Sequence, residues 1–233
     1  MGEMFVKKYH IFKINLTTLN VISIVILILC FGITALFFPS NMKDMAMLFD
    51  NIKFCLLLLP LMICYFTLHE LLHALGYIVN GANPKKITFG AELEKGVLYC
   101  LCKDEVDKKN ILFSLMYPLF FIGIVTYIIG IIFNYPVLLL LSILNISGAA
   151  GDIMYFLFII KLDKDIMYSE MDDGTSFALI SKDDPSKYKH YGLKYCGTAD
   201  EIPRKDFKRV KISKISLIVF ILCIVFLIVG LII

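Results

Sequence analysis

Five long runs of apolar residues are the feature that most constrains how this chain can fold. The runs are Leu19–Phe38, Phe54–Val79, Ile111–Phe133, Pro136–Ile160 and Ile215–Ile233. As a helix, each is long enough to cross a hydrocarbon core of about 30 Å. Only 18% of the 233 residues are charged and 59% are hydrophobic, whereas a soluble domain has about 25% charged residues. The pattern predicts an all-α polytopic membrane protein with about five transmembrane helices.

The basic residues predict how these helices cross the membrane. Lysines precede the first run, recur in the link 80–110, and occur with arginine in 161–214. Basic residues mark the cytoplasmic side, and five helices place all three basic segments there together. The first run is long for a signal-peptide core and lacks a small-x-small cleavage site before Pro39, which favours a retained anchor. We expect an integral membrane protein with a cytoplasmic N-terminus.

The links between the runs indicate four segments and one element of β-structure. The segments are an N-terminal anchor and loop over 1–53, a core of three helices over 54–160, a cytosolic tail over 161–214 and a C-terminal helix over 215–233. In the second link, Lys86–Leu93 and Gly96–Cys102 alternate loosely around a turn, which predicts a small cytosolic β-hairpin between helices two and three. The tail has a turn signal at Met171–Thr175 and a short apolar run, Phe177–Ile180, too short for a sizeable core.

The second run contains the pattern His69-Glu70-Leu71-Leu72-His73. Residues four apart share a face of a helix, so both imidazoles can bind one ion, and neutral imidazole is a good zinc ligand. Glu70 is offset around the helix, where it can act as a general base. A charge inside a membrane helix costs about 2.5–3.5 kcal/mol on insertion scales and is functional by default. The alternative is two neutral histidines and a protonated glutamate, hydrogen-bonded between helices.

Asp152 is the candidate for a third metal ligand, since catalytic zinc usually has three protein ligands. It is the one ionisable residue in the fourth run. At 1.5 Å rise per residue, His69 and His73 lie about 10–17 Å from the cytoplasmic end of their helix, and Asp152 lies about 13 Å from the end of its own. The small residues before Asp152, and Gly76 one turn past His73, would let the two helices pack closely.

Other polar residues give weaker signals. Asn145 lies two helical turns before Asp152 and could bind substrate backbone or stabilise an oxyanion, although a helix–helix hydrogen bond is nearly as well supported. Cys100 and Cys102 would face one side of a strand, but no third cysteine or histidine follows nearby, so ordinary hairpin residues are favoured. No basic block is interleaved with aromatic residues, so we expect no nucleic-acid partner. The sequence does not indicate an oligomeric state.

These residues resemble those of a known family. The segments that carry the resemblance are HELLHALGY (His69–Tyr77), the hairpin that follows it, NISGAAGD (Asn145–Asp152) and MDDGTSFALI (Met171–Ile180). They are similar to a bacterial family of "putative zincin peptidases" of unknown function, related to the site-2 protease class of intramembrane zinc metalloproteases. The resemblance spans roughly 54–180. Two departures concern the site-2 protease class, since Gly148 stands where that class typically has proline and Ile153 where it has glycine.

The resemblance implies zinc bound by His69, His73 and Asp152, with Glu70 as the catalytic base, in a bacterial cell membrane. We therefore expect an intramembrane zinc metallopeptidase that acts toward the cytoplasmic side, with the lipid bilayer and a membrane-embedded or membrane-proximal peptide as partners. The alternative is a non-enzymatic zinc-binding regulator or immunity-type protein, which would not need the base Glu70. A transporter is disfavoured by the low number of helices and the absence of two matching halves.

Overall fold

The computed structural model describes residues 8–92 and 97–202. Its elements in chain order are β1 (Tyr9–Ile14), α1 (Leu16–Phe37), α2 (Pro39–Met47), α3 (Ile52–Val79), β2 (Ile87–Glu92), β3 (Val97–Cys102), β4 (Val106–Asp107), α4 (Lys108–Pro118), α5 (Thr126–Ile132), α6 (Pro136–Gly148), α7 (Ala150–Ile159), β5 (Met167–Glu170), β6 (Ser176–Ile180) and β7 (Leu193–Ala199). A π-helical stretch, Leu119–Val125, joins α4 to α5. The fold is therefore mixed α/β.

Three helices are long and apolar enough to cross a membrane. They are α1, α3 and the continuous helix Lys108–Ile132. The pair of α6 and α7 is bent by 45° and would be a fourth if it counts as one span. These helices correspond to the first four apolar runs and indicate membrane association. The fifth predicted run, Ile215–Ile233, lies outside the described residues.

The predicted all-α fold was wrong, because a five-stranded antiparallel sheet is present in the order β4-β5-β6-β1-β7. Strand β1 lies between β6, where His10 is opposite Leu179, and β7, where His10 is opposite Thr198. The strands are short, and β1 directly precedes an apolar helix. Their common core is non-local, since Phe12 packs on Phe158 at 4.7 Å and on Phe177 at 5.6 Å between ring centroids. No local pattern reveals such a core.

The described residues form two compact units. One contains 8–19, 70–92, 97–117 and 151–202 and includes the whole five-stranded sheet. The other contains 20–69 and 118–150 and consists of helices. Helix α3 contributes to both, with His69 in the helical unit and Glu70 in the sheet unit. Because each unit is assembled from several stretches of chain, the four segments expected from the sequence stay predictions.

Two local elements that the sequence predicted are present, the pairing of the hairpin strands and an acidic turn. Strands β2 and β3 pair antiparallel, with Ile87 opposite Cys102, and form the expected hairpin. The acidic turn connects β5 to β6, where Asp173 Oδ1 accepts hydrogen bonds from the backbone N–H groups of Thr175 and Ser176. This is the local side-chain to backbone bonding that favours aspartate in turns. The short apolar run after it is strand β6 of the large sheet.

Candidate metal centre

Helix α3 brings His69, Glu70 and His73 together in one turn. A possible ligand atom from each lies within 4.8 Å of the others. Each histidine is only 7% exposed, and Glu70 is half-buried. Among the described residues, these three form the group whose nitrogen and oxygen atoms could hold a metal ion. The uninterrupted i, i+4 spacing of an α-helix, anticipated from the sequence, produces this arrangement.

The imidazole of His69 is oriented by Asn145 of α6. Asn145 is fully buried, and its Oδ1 lies 2.9 Å from His69 Nδ1. Its amide nitrogen donates to the carbonyl of Pro118 at 3.4 Å, which leaves the amide oxygen for the histidine. An amide oxygen only accepts, so His69 Nδ1 carries a proton, and in the neutral imidazole the lone pair is then on Nε2. The expected role of Asn145 in substrate binding stays a prediction.

The imidazole of His73 is oriented by the backbone of α4. His73 Nδ1 donates to the carbonyl oxygen of Ser114 at 2.9 Å, and the Ser114 hydroxyl donates to the carbonyl of His73 at 2.8 Å. Gly76 makes this close approach possible, because a Cβ there would lie 2.7 Å from Ser114 Cα. Gly76 was expected to pack on the helix that carries Asp152, but its close contact is with α4 instead. His73 Nε2, the other ring nitrogen, faces the carboxylate of Asp152.

Asp152 lies in the first turn of α7, where the helix dipole favours a negative charge. Its Oδ1 is 3.4 Å from His73 Nε2. Zinc binds imidazole nitrogen and carboxylate oxygen at about 2.0–2.2 Å, so two ligands at a tetrahedral angle are about 3.4 Å apart. The separation of these two atoms thus already suits a shared zinc ion. The assignment of Asp152 as third ligand and of Glu70 as base stays a prediction.

The residues at this centre fit zinc. The donors are two imidazole nitrogens and carboxylate oxygen, the set found in catalytic zinc sites. Histidines that bind metal usually donate their other ring N–H to an oxygen acceptor, and both histidines do so here.

Sequence reasoning missed Glu170, the last residue of β5. Its carboxylate accepts hydrogen bonds from the Cys102 backbone N–H and the Tyr77 hydroxyl. The only signal is a lone glutamate at the end of a short strand, which no motif marks. Cys100 and Cys102 are buried on β3, and burial raises the pKa of the Cys100 thiol. A neutral thiol is a poor metal ligand, which agrees with ordinary hairpin residues.

Comparison with known proteins supports this description of the site. The sequence profile of a family described as "Putative zincin peptidase" matches residues 62–167, which is less than half of the chain. The matched region contains the His-Glu-x-x-His turn, Asn145 and Asp152, and it ends before Glu170. No match was found among curated proteins or among solved structures. The similarity agrees with the resemblance seen in the sequence; zincins are zinc-dependent, and the description suggests metallopeptidase activity.

Proposed function

We propose that this protein is a zinc metallopeptidase that hydrolyses a peptide bond in, or close to, the membrane. One observation carries the proposal: a single turn of α3 presents two histidines whose Nδ1 atoms are hydrogen-bonded, with Glu70 between them. The match to the zincin profile over the same residues supports it. A relationship to the site-2 protease class is part of the proposal and rests on the resemblance of the motifs.

His69, His73 and Asp152 would hold the zinc. When bound, zinc polarises a scissile carbonyl and lowers the pKa of water toward about 7. Glu70 is half-buried and so remains within reach of solvent. It takes a proton from the attacking water and returns it to the leaving amine, so that one C–O bond forms as the C–N bond breaks. Asn145 and the Ser114 carbonyl hold the imidazoles in the tautomer that this requires.

The location of the site suggests the class of substrate. The His-Glu-x-x-His turn lies in a helix long and apolar enough to cross a membrane. We propose a membrane-embedded or membrane-proximal peptide segment as substrate, with the centre toward the cytoplasmic side of a bacterial membrane and the N-terminus on that side. The β2–β3 hairpin, between α3 and α4, offers a strand edge to which an extended peptide could add.

Replacing Glu70 by glutamine tests the proposal. The full chain in detergent micelles is assayed for bound zinc by elemental analysis and for hydrolysis of a library of fluorogenic peptides. Glu201→Gln, at an exposed position, is the matched control. We expect the wild type and the control to bind zinc and cleave peptide. Glu70→Gln should keep the zinc and lose about 10²–10⁴-fold in rate, the usual contribution of a general base.

Each other outcome has a defined meaning. Unchanged hydrolysis by Glu70→Gln would remove Glu70 from the mechanism. Zinc in the wild type without any hydrolysis would favour the non-enzymatic regulator or immunity-type protein. The absence of zinc from all three proteins would refute the metal centre itself.

A further inference from the structure

Glu170 is a carboxylate that the proposed mechanism does not use and that lies outside the family match. Its Oε2 accepts a hydrogen bond from the backbone N–H of Cys102 at 2.7 Å. Its Oε1 accepts from the Tyr77 hydroxyl at 3.0 Å and, more weakly, from the Tyr168 hydroxyl at 3.4 Å. All three donor residues are only 1% exposed. The carboxylate is therefore bound on both oxygens by buried groups.

These donors come from three different elements of the sheet unit. Tyr77 lies on α3, one helical turn past His73. Cys102 is the last residue of hairpin strand β3, and Tyr168 belongs to β5, as Glu170 does. One carboxylate thus ties the helix of the candidate metal centre to the hairpin and to the five-stranded sheet. Near Tyr77, helix α3 cannot slide along its axis without breaking this link.

A charged group is an expensive way to make a purely structural link. Burial raises the pKa of Glu170 to about 7, and hydrogen bonds from Cys102 and Tyr77 only partly oppose it. Apolar side chains of similar volume would hold the same elements together at no greater cost. The charge of Glu70 also acts on Glu170 and raises its pKa further. The carboxylate is therefore in electrostatic contact with the candidate metal centre.

We propose that Glu170 is a positioning residue of the metal centre, which acts through Tyr77 to fix the turn of α3 that carries Glu70 and His73. The inference rests on the proposed zinc centre and assigns to it a residue of the sheet. It makes the five-stranded sheet part of the structure that sets metal affinity. It also gives the tail after α7, where the sequence predicted only a small element, a role in the chemistry.

Three substitutions in the full chain test this inference. Glu170→Gln keeps the shape but places an NH₂ group against one of the two buried donors. Tyr77→Phe removes a single donor and leaves the carboxylate. Tyr155→Phe is the matched control, because it removes a tyrosine hydroxyl that bonds the Thr175 carbonyl at 3.1 Å instead of Glu170. Each protein, in detergent micelles, is titrated with zinc against a fluorescent chelator, melted without zinc, and assayed for kcat and KM on the fluorogenic peptides.

We expect Glu170→Gln and Tyr77→Phe each to weaken zinc binding by about 10–100-fold, the usual effect of losing a group that orients a metal ligand. The double variant should bind zinc no more weakly than Glu170→Gln, because both changes break one link. We expect kcat to fall with KM unchanged. Tyr155→Phe should match the wild type in zinc binding. If Glu170 were merely structural, the two substitutions would lower the melting temperature and leave the zinc Kd unchanged.

The inference is overturned if both single variants bind zinc like the wild type, or if their effects on the zinc Kd add. If Glu170→Gln does not fold, Tyr77→Phe alone decides, since it leaves the Glu170 carboxylate and its hydrogen bonds from Cys102 and Tyr168 in place. A wild type that binds zinc but cleaves nothing would refute the proposed function, while the zinc titrations would still test Glu170. A wild type that binds no zinc would refute both.

Discussion

Gly76→Ala is the substitution whose effect on the metal centre follows most directly from the geometry. The new methyl group would lie 2.7 Å from Ser114 Cα and 3.3 Å from its Cβ. Carbon atoms in contact are normally about 3.5–4.0 Å apart, so the backbone of α4 must retreat by about 1 Å. The His73 Nδ1 to Ser114 carbonyl bond, now 2.9 Å, would then exceed the limit of about 3.2 Å for an N–H···O bond.

The expected loss of stability combines three effects. Overpacking of a tight contact costs about 1–3 kcal/mol. The two hydrogen bonds between Ser114 and His73 contribute about 0.5–1.5 kcal/mol each, and alanine returns about 1 kcal/mol through its higher helix propensity. The net destabilisation is about 3 kcal/mol, which lowers the melting temperature by about 6–12 °C in a chain of this size. Zinc binding should weaken by about 10–100-fold, since the orientation of His73 is lost.

The matched control for this experiment is Gly32→Ala in α1, where an added Cβ meets no atom within 4 Å. Both variants are melted in the same detergent, and their zinc affinities are measured by competition with a chelator. Gly32→Ala should be as stable as the wild type or more so. If Gly76→Ala melts at or above the wild-type temperature and binds zinc with unchanged affinity, then the approach of α4 does not orient His73, and the reasoning is refuted.

Two further predictions concern polar side chains near the centre. Asn145→Ala should weaken zinc binding by about 10–100-fold, whereas Asn145→Asp, which still accepts from His69 Nδ1, should largely keep it; a change in KM alone would instead indicate substrate binding. Burial raises the pKa of Glu170 from 4.5 to about 7. In metal-free protein, the contribution of Glu170 to the free energy of unfolding is therefore most favourable below about pH 4.5. It falls by about 3 kcal/mol as the pH rises to 7, because the folded protein keeps a proton that the unfolded chain releases. Glu170→Gln should abolish this pH dependence of the free energy of unfolding, measured by urea unfolding at several pH values. An unchanged dependence would contradict the raised pKa of Glu170.

The parts of the structure that sequence reasoning reached are those set by short-range patterns. The metal-binding turn depends only on the helical spacing of His69 and His73. The hairpin depends on alternation around a turn, and the acidic turn on Asp173 bonding its own neighbours. Membrane association follows from apolar runs that no soluble fold could bury. In each case the residues that make the structure adjoin one another in the chain, so their pattern is visible before folding.

The parts that it missed depend on residues far apart in the chain. Strand β1 carries no strong β-signal, and it is stabilised by pairing with β6 and β7 from the other end of the described chain. Gly76 was expected to let α3 pack closely on the helix that carries Asp152, but it packs on Ser114 of α4, a partner that the sequence could not show. The contact of Asn145 with His69 was likewise one of two readings that the sequence left open, and helical spacing alone could not choose between them.

The two histidines of the centre are oriented by chemically different acceptors, and this determines which experiments can test them. His69 bonds a side-chain amide, which mutation can remove or replace by another acceptor without moving a helix. His73 bonds the backbone carbonyl of Ser114, which no substitution removes. Its contribution can be probed only by displacing α4, and Gly76 is the position where one methyl group does so. A substitution at Gly76 should therefore lower zinc affinity and stability together, whereas a substitution at Asn145 can change one without the other.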